Sequence, residues 1–129
     1  MKRNLLIGLV LFTVLFVGCG KGFVPLGGKV TFEDGSPLTV GAVCFSTGTF
    51  MAEGRLNEQG EYVLSSLGKD DGLPPGTYKV YIQGATKTDA KERTVDLIHS
   101  KFVSPDTTPL SYDVKKGGDN VYDIQVTKP

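Results

Sequence analysis

From Gly28 onward the chain alternates apolar and polar residues in short runs broken by turn residues, the period-two signature of half-buried strands. Lys29-Val30-Thr31-Phe32-Glu33 directs Val30 and Phe32 to one face. Asp34-Gly35-Ser36-Pro37 follows as a turn, since glycine accepts positive φ and aspartate bonds its own backbone. Val40 to Ser46 predicts a second strand with Val43 and Phe45 inward. Glu53–Asn57 and Glu61–Ser65 flank Glu58-Gln59-Gly60 as a hairpin, with Tyr62 and Leu64 sharing a face. Residues 66–76 hold Gly68, Gly72, Pro74, Pro75 and Gly76, which excludes a regular element there. Thr77 to Ile82 is the clearest strand, with Tyr78, Val80 and Ile82 inward and Tyr81 outward. Leu110, Tyr112 and Val114 define a sixth. After a Gly117-Gly118-Asp119 turn, Tyr122, Ile124 and Val126 define a seventh. Seven alternating strands with frequent turns predict an all-β, antiparallel Greek-key β-sandwich.

The stretch from Gly84 to Pro109 breaks this rhythm. Thr86 to Arg93 is polar and charge-rich and is expected to be a mobile loop. Val95 to Phe102 fits either a short helical turn or an irregular docking segment.

The N-terminus has a different grammar. Lys2 and Arg3 precede an apolar run from Leu5 to Val17, and small Gly18 stands before Cys19. A spanning helix needs about 20 apolar residues, so this run suits the core of a secretory signal better than a membrane span. Residues 1–18 are expected to be a signal peptide, 19–27 a tether, and 28–127 the domain. Over all 129 residues, 14 Lys+Arg balance 14 Asp+Glu, which leaves no electrostatic footprint for nucleic acid. Two cysteines exclude a disulfide scaffold, and with one histidine they cannot build a zinc cluster.

Phe16-Val17-Gly18-Cys19 resembles a bacterial lipobox, with Phe16 standing where Leu is the commonest residue. The resemblance implies cleavage before Cys19 and acylation of its thiol, hence a membrane partner reached through lipid. Gly20 after the cysteine, in place of Asp, implies sorting to the outer membrane or cell surface. Gly28-Lys29-Val30-Thr31-Phe32, Gly35-Ser36-Pro37-Leu38 and Gly41-Ala42-Val43 resemble the opening of carboxypeptidase regulatory-like domains, which are transthyretin-like (prealbumin-like) sandwiches. Asn57-Glu58-Gln59-Gly60-Glu61-Tyr62 and Leu73-Pro74-Pro75-Gly76-Thr77-Tyr78 are similar to that family's next turn and to the lead into its central strand. Together with Lys101–Leu110 and Lys116–Ile124, these motifs resemble small bacterial lipoproteins carrying one such domain. The resemblance implies a transthyretin-like sandwich and carries no activity.

Chemistry is sparse. His99 is the single imidazole, so a Ser-His-Asp set with a second histidine cannot be assembled. The many histidines and Tyr-Arg-Gly-Ser ending of the hydrolytic transthyretin-like enzymes are absent. Asp70-Asp71 beside Gly68 and Gly72 could offer oxygens to calcium, though their spacing is not that of an EF-hand. Lys29 and Asn120 lie on strands where related surface sandwiches form isopeptide bonds, but Lys29 falls on the polar face. The expected function is a non-enzymatic, envelope-anchored module without a cofactor, contacting envelope protein or glycan. The alternative is a carbohydrate- or small-ligand-binding domain that uses an exposed Tyr81 as a stacking platform.

Overall fold

The computed structural model describes residues 22–117 and 120–129. The signal segment, Cys19 and the Gly118-Asp119 part of the last turn therefore lie outside the described residues. The strands are β1 (Leu26–Phe32), β2 (Ala42–Ser46), β3 (Met51–Arg55), β4 (Glu61–Val63), β5 (Gly76–Gln83), β6 (Thr86–Thr88), β7 (Thr94–Asp96), β8 (Leu110–Val114), β9 (Asn120–Val121) and β10 (Ile124–Val126). A single 3-10 turn, Ser100–Phe102, interrupts the all-β order, and no α-helix occurs among the described residues.

Two four-stranded sheets face each other across one core, giving a sandwich-like, all-β body. One has the order β10-β1-β4 with β9 also on β1, and the other runs β3-β2-β5-β8. The predicted inward residues meet between them. Val30, Tyr62, Ile124 and Val126 come from the first sheet, and Val43, Phe45, Tyr78, Val80, Ile82 and Val114 from the second. Phe45 is the hub, with ring centroids 6.1–6.2 Å from those of Tyr78, Tyr112 and Tyr122. Tyr112 stacks on Tyr122 at 4.7 Å, closing the core between β8 and the C-terminal strands. Such offset or edge-on pairs let the negative ring face meet a positive edge, beyond the gain from burial itself.

The predicted strand count of seven becomes ten, for two physical reasons. First, the last strand is split. β9 and β10 hold one continuous parallel register on β1, with Leu26 opposite Asn120 and Val30 opposite Ile124. The first sheet is therefore mixed rather than purely antiparallel. Between the two pieces the Tyr62 hydroxyl donates to the Tyr122 carbonyl, which occupies that acceptor. The Lys29 N–H turns instead to the Asp123 carboxylate, at 3.0 Å. Asp123 thus supplies from its side chain what the ladder lacks. Second, Thr86–Arg93 is not a mobile loop but part of a hairpin, in which β6 pairs antiparallel with β7. Asp89 organises its tip by accepting the Lys91 and Arg93 amides at 2.9 Å and pairing with the Arg93 guanidinium at 2.9 Å.

The segment beyond the hairpin docks. Ile98 and Phe102 are buried in the core, and the His99 amide donates to the Thr127 carbonyl at 2.8 Å, covering the outer edge of β10. Of the segment 95–102, expected as a helical turn or an irregular docking segment, Val95 and Asp96 belong to β7 instead, and the rest docks through a 3-10 turn at Ser100–Phe102. The body also starts before Gly28. Val24 exchanges backbone hydrogen bonds with Leu73 at 2.8 and 3.1 Å, and β1 begins at Leu26.

Candidate functional site

Among the described residues the predicted site residues lie in two places rather than one, and Cys19 falls outside the described residues. Asp70 and Asp71 lie in the loop between β4 and β5, where they make separate local contacts. The Asp71 carboxylate accepts the Ser66 amide at 2.8 Å, the Gly68 amide at 2.9 Å and the Leu67 amide at 3.1 Å, with the Ser66 hydroxyl beside it at 3.2 Å. Burial works to raise its pKa, but the three amides and the hydroxyl outweigh that and hold it below the ordinary carboxylate value. Its oxygens are already engaged by donors. Asp70 takes a left-handed backbone, φ 55°, and sends its amide to the Ser65 hydroxyl at 2.8 Å. No cluster of three or more His, Cys, Asp or Glu side chains suited to a metal occurs among the described residues.

A pH dependence follows from the Asp71 contacts. Because its folded pKa lies below the unfolded value of 3.8, the loop's stabilisation is present above that value. It is lost as pH falls through the folded pKa. The amide resonances of Ser66, Leu67 and Gly68 should titrate together below the usual carboxylate range, and Asp71→Asn should abolish that shared transition.

Tyr81 requires a correction. Alternation places it on the outer side of β5, away from Tyr78 and Val80, and it is absent from the core cluster. Yet it is only 5 % exposed, so the stacking platform expected at this position does not exist. The register explains how an outward ring is covered. Tyr81 lies opposite Cys44 on β2, and Cys44 lies opposite Glu53 on β3. The tyrosine hydroxyl reaches beyond both to the Met51 sulfur at 3.5 Å, so the ring crosses β2 and shields Cys44. Burial raises the Tyr81 pKa, with Cys44 and Glu53 adding to the effect. Tyr81→Ala is expected to cost about 1–2 kcal/mol through lost packing, which lowers the melting temperature by roughly 4–8 °C per kcal/mol in a domain of this size. A thermal melt of the pair checks this. An unchanged melting temperature would show the ring to be dispensable to the fold.

Cys44 is a packing residue rather than a nucleophile. It is fully buried, and burial, helped by nearby Glu53, pushes its thiol up to about 12. A thiol held protonated in this way is a poor attacking group. His99 is equally committed to structure. Its Nδ1 accepts the Lys101 amide at 3.1 Å, capping the 3-10 turn. Lys29 is exposed, whereas the Asn120 side chain is buried and bonds the Lys115 backbone through both its oxygen and its nitrogen. The alternation that put Lys29 on the polar face is correct.

An open groove of about 420 Å³ lies where β3 meets β4, lined by Glu53, Arg55, Asn57, Glu61 and Asp70 among others. Its walls carry charges of both signs, and Asn57 and Glu61 already engage each other at 3.3 Å. No family model, curated protein or solved structure matches the chain. A functional reading therefore draws on the chain's own residues.

Proposed function

We propose that the chain is a non-enzymatic, lipid-anchored module of the cell envelope, whose sandwich is a Greek-key domain of the carboxypeptidase regulatory-like, transthyretin-like kind. One observation carries the reading. A basic Lys2-Arg3 start, an apolar run from Leu5 to Val17 and small Gly18 precede Cys19, and the folded body begins only a few residues later at Val24. Among the described residues no helix is long and apolar enough to cross a membrane. Attachment in this reading comes from acyl chains on Cys19, each buried methylene contributing about 0.8 kcal/mol.

The non-enzymatic part rests on how the reactive side chains are used. The single histidine caps a turn, and the thiol within the fold is buried. The finer fold reading rests on Pro74-Pro75-Gly76-Thr77-Tyr78. Here the Tyr78 hydroxyl donates to the Pro74 carbonyl at 2.7 Å and pins the approach to β5, as corner tyrosines do in sandwiches. The contacts of such a module would be envelope protein or glycan, met by its outer surface.

Cys19→Ser tests the anchor. The variant should lose the diacylglyceryl mass and should no longer be cut before residue 19. A variant still cut before residue 19 and carrying the same added mass as the wild type would refute lipid attachment at Cys19.

A further inference from the structure

The end of the sandwich from which the chain runs back toward Cys19 differs from the opposite end. At the first end, Val24 pairs with Leu73, and Phe23 sets its ring edge-on to Phe50 at 5.9 Å. The loops around that point are 47–50, 66–75 and residues 115–117 after β8. At the far end lie the 33–36 turn, the β6–β7 hairpin and the C-terminus after β10.

Exposed apolar side chains are distributed unevenly between these ends. Among the described residues the four most exposed large ones are Leu67 at 72 %, Val121 at 60 %, Met51 at 50 % and Val63 at 49 %. All four belong to the half that holds Val24. Val63 and Val121 both lie opposite Gly27 near the start of β1, and Met51 follows Phe50 directly. Leu67 is the extreme case, and its loop is not slack. The Asp71 carboxylate takes the amides of Ser66, Leu67 and Gly68, so the backbone beneath the exposed leucine is fixed. Lys69, Lys115 and Lys116 are exposed around the same end, with Asp70, Asp106 and Asp113 among the exposed acids there. The far end carries exposed charges of both signs, Glu33, Asp34, Glu92 and Asp96 together with Lys87, Lys91, Arg93 and Lys128.

Chain length links this rim to an occupant. From Cys19 to Val24 the backbone covers five residues, which reach at most ~17 Å when fully extended. The eight residues of β5 alone span ~26 Å along the sandwich. A lipid on Cys19 thus keeps the Val24 end within reach of the bilayer, whereas the hairpin end comes near only if the body lies flat.

We propose that the Leu67 end of the sandwich is a bilayer-docking surface, on which Leu67 enters the interfacial region with Val121, Met51 and Val63 around it. The lysines meet anionic headgroups, and the β6–β7 hairpin is presented away from the membrane. This rests on the lipid-anchor reading above and adds an orientation to it. An exposed leucine next to lysine suits the headgroup boundary, where the apolar side chain is buried and the ammonium stays hydrated.

The test uses the full, processed chain in vesicles of phosphatidylethanolamine and phosphatidylglycerol. An environment-sensitive fluorophore is placed at Leu67→Cys or, separately, at Lys91→Cys on the hairpin. Cys44 is buried and does not compete for the label. With spin-labelled lipid in the vesicles, the probe at 67 should shift to the blue and be quenched several-fold more than the probe at 91. Equal quenching at both positions would show a body lying flat and overturn the docking surface. A water-exposed probe at 67 in a vesicle-bound chain would overturn it too, and in both cases the anchor stands. A blue-shifted probe at 67 that lipid quenchers leave untouched would mean burial against protein, which also overturns it. Failure of the unlabelled chain to co-sediment with the vesicles would sink the anchor and the orientation together.

Discussion

Val80→Asp leaves the domain unfolded, while Lys79→Asp, one residue away, changes stability by less than about 1 kcal/mol. Val80 is fully buried between the sheets, opposite Phe45 on β2 and Leu110 on β8. A carboxylate there has no cationic partner, and even neutralised it loses several kcal/mol of solvation. A domain of this size has only about 5–15 kcal/mol to lose. Lys79 is exposed and lies opposite Ser46 and Ser111, so a charge reversal there remains in water. Circular dichroism and amide dispersion of the two variants separate the outcomes. Equal damage from both would mean that the inward face of β5 is wrongly assigned.

Gly28→Ala is expected to destabilise the domain by about 3 kcal/mol through overpacking, lowering the melting temperature by ~12 °C or more. A Cβ at this position would run into the Tyr122 carbonyl, the same group that accepts the Tyr62 hydroxyl. Relief requires β1 to move away from the Tyr122–Asp123 link, which breaks the bond from the Lys29 amide to Asp123 as well. Gly35→Ala provides the contrast. Gly35 has φ +87° but nothing within 4 Å of its added carbon, so only the backbone penalty of about 1–2 kcal/mol applies. Thermal melts of both variants check the ranking. A milder loss at Gly28 than at Gly35 would contradict the close approach of Tyr122 to β1.

The strands that face the core on one side were legible in the sequence because burial itself writes the alternation. Tyr78, Val80 and Ile82 lead inward as their spacing requires, and so do Val43 and Phe45. The β6–β7 hairpin was not legible. Its strand residues 86–88 and 94–96 are exposed or half-buried throughout, so no apolar period marks them, and no glycine marks the turn. The tip is held by the Asp89 carboxylate, with Glu92 in a left-handed conformation, φ 62°, and residue types alone announce neither. The split of the last strand was equally hidden. It depends on a tyrosine 60 residues away taking one carbonyl, a tertiary competition that no local pattern encodes.

The candidate site residues follow the same division. Alternation fixed the direction of Tyr81 but could not tell what lay over it. A ring long enough to reach Met51 across β2 converts an outward position into a buried one. For Asp71 the neighbouring glycines marked a tight loop, and only the fold shows that the loop's own amides occupy the carboxylate. Cys19 was assigned from the N-terminal signal alone, and the described residues begin after it.

Lipid attachment at Cys19 is tested most directly by the intact mass of the chain extracted from bacterial membranes in detergent. The extracted chain should begin at Cys19 and carry the mass of a diacylglyceryl group on the sulfur, with further acylation located on the same residue by fragmentation. A chain that retains Met1, or one cut elsewhere and bearing no lipid, would contradict it.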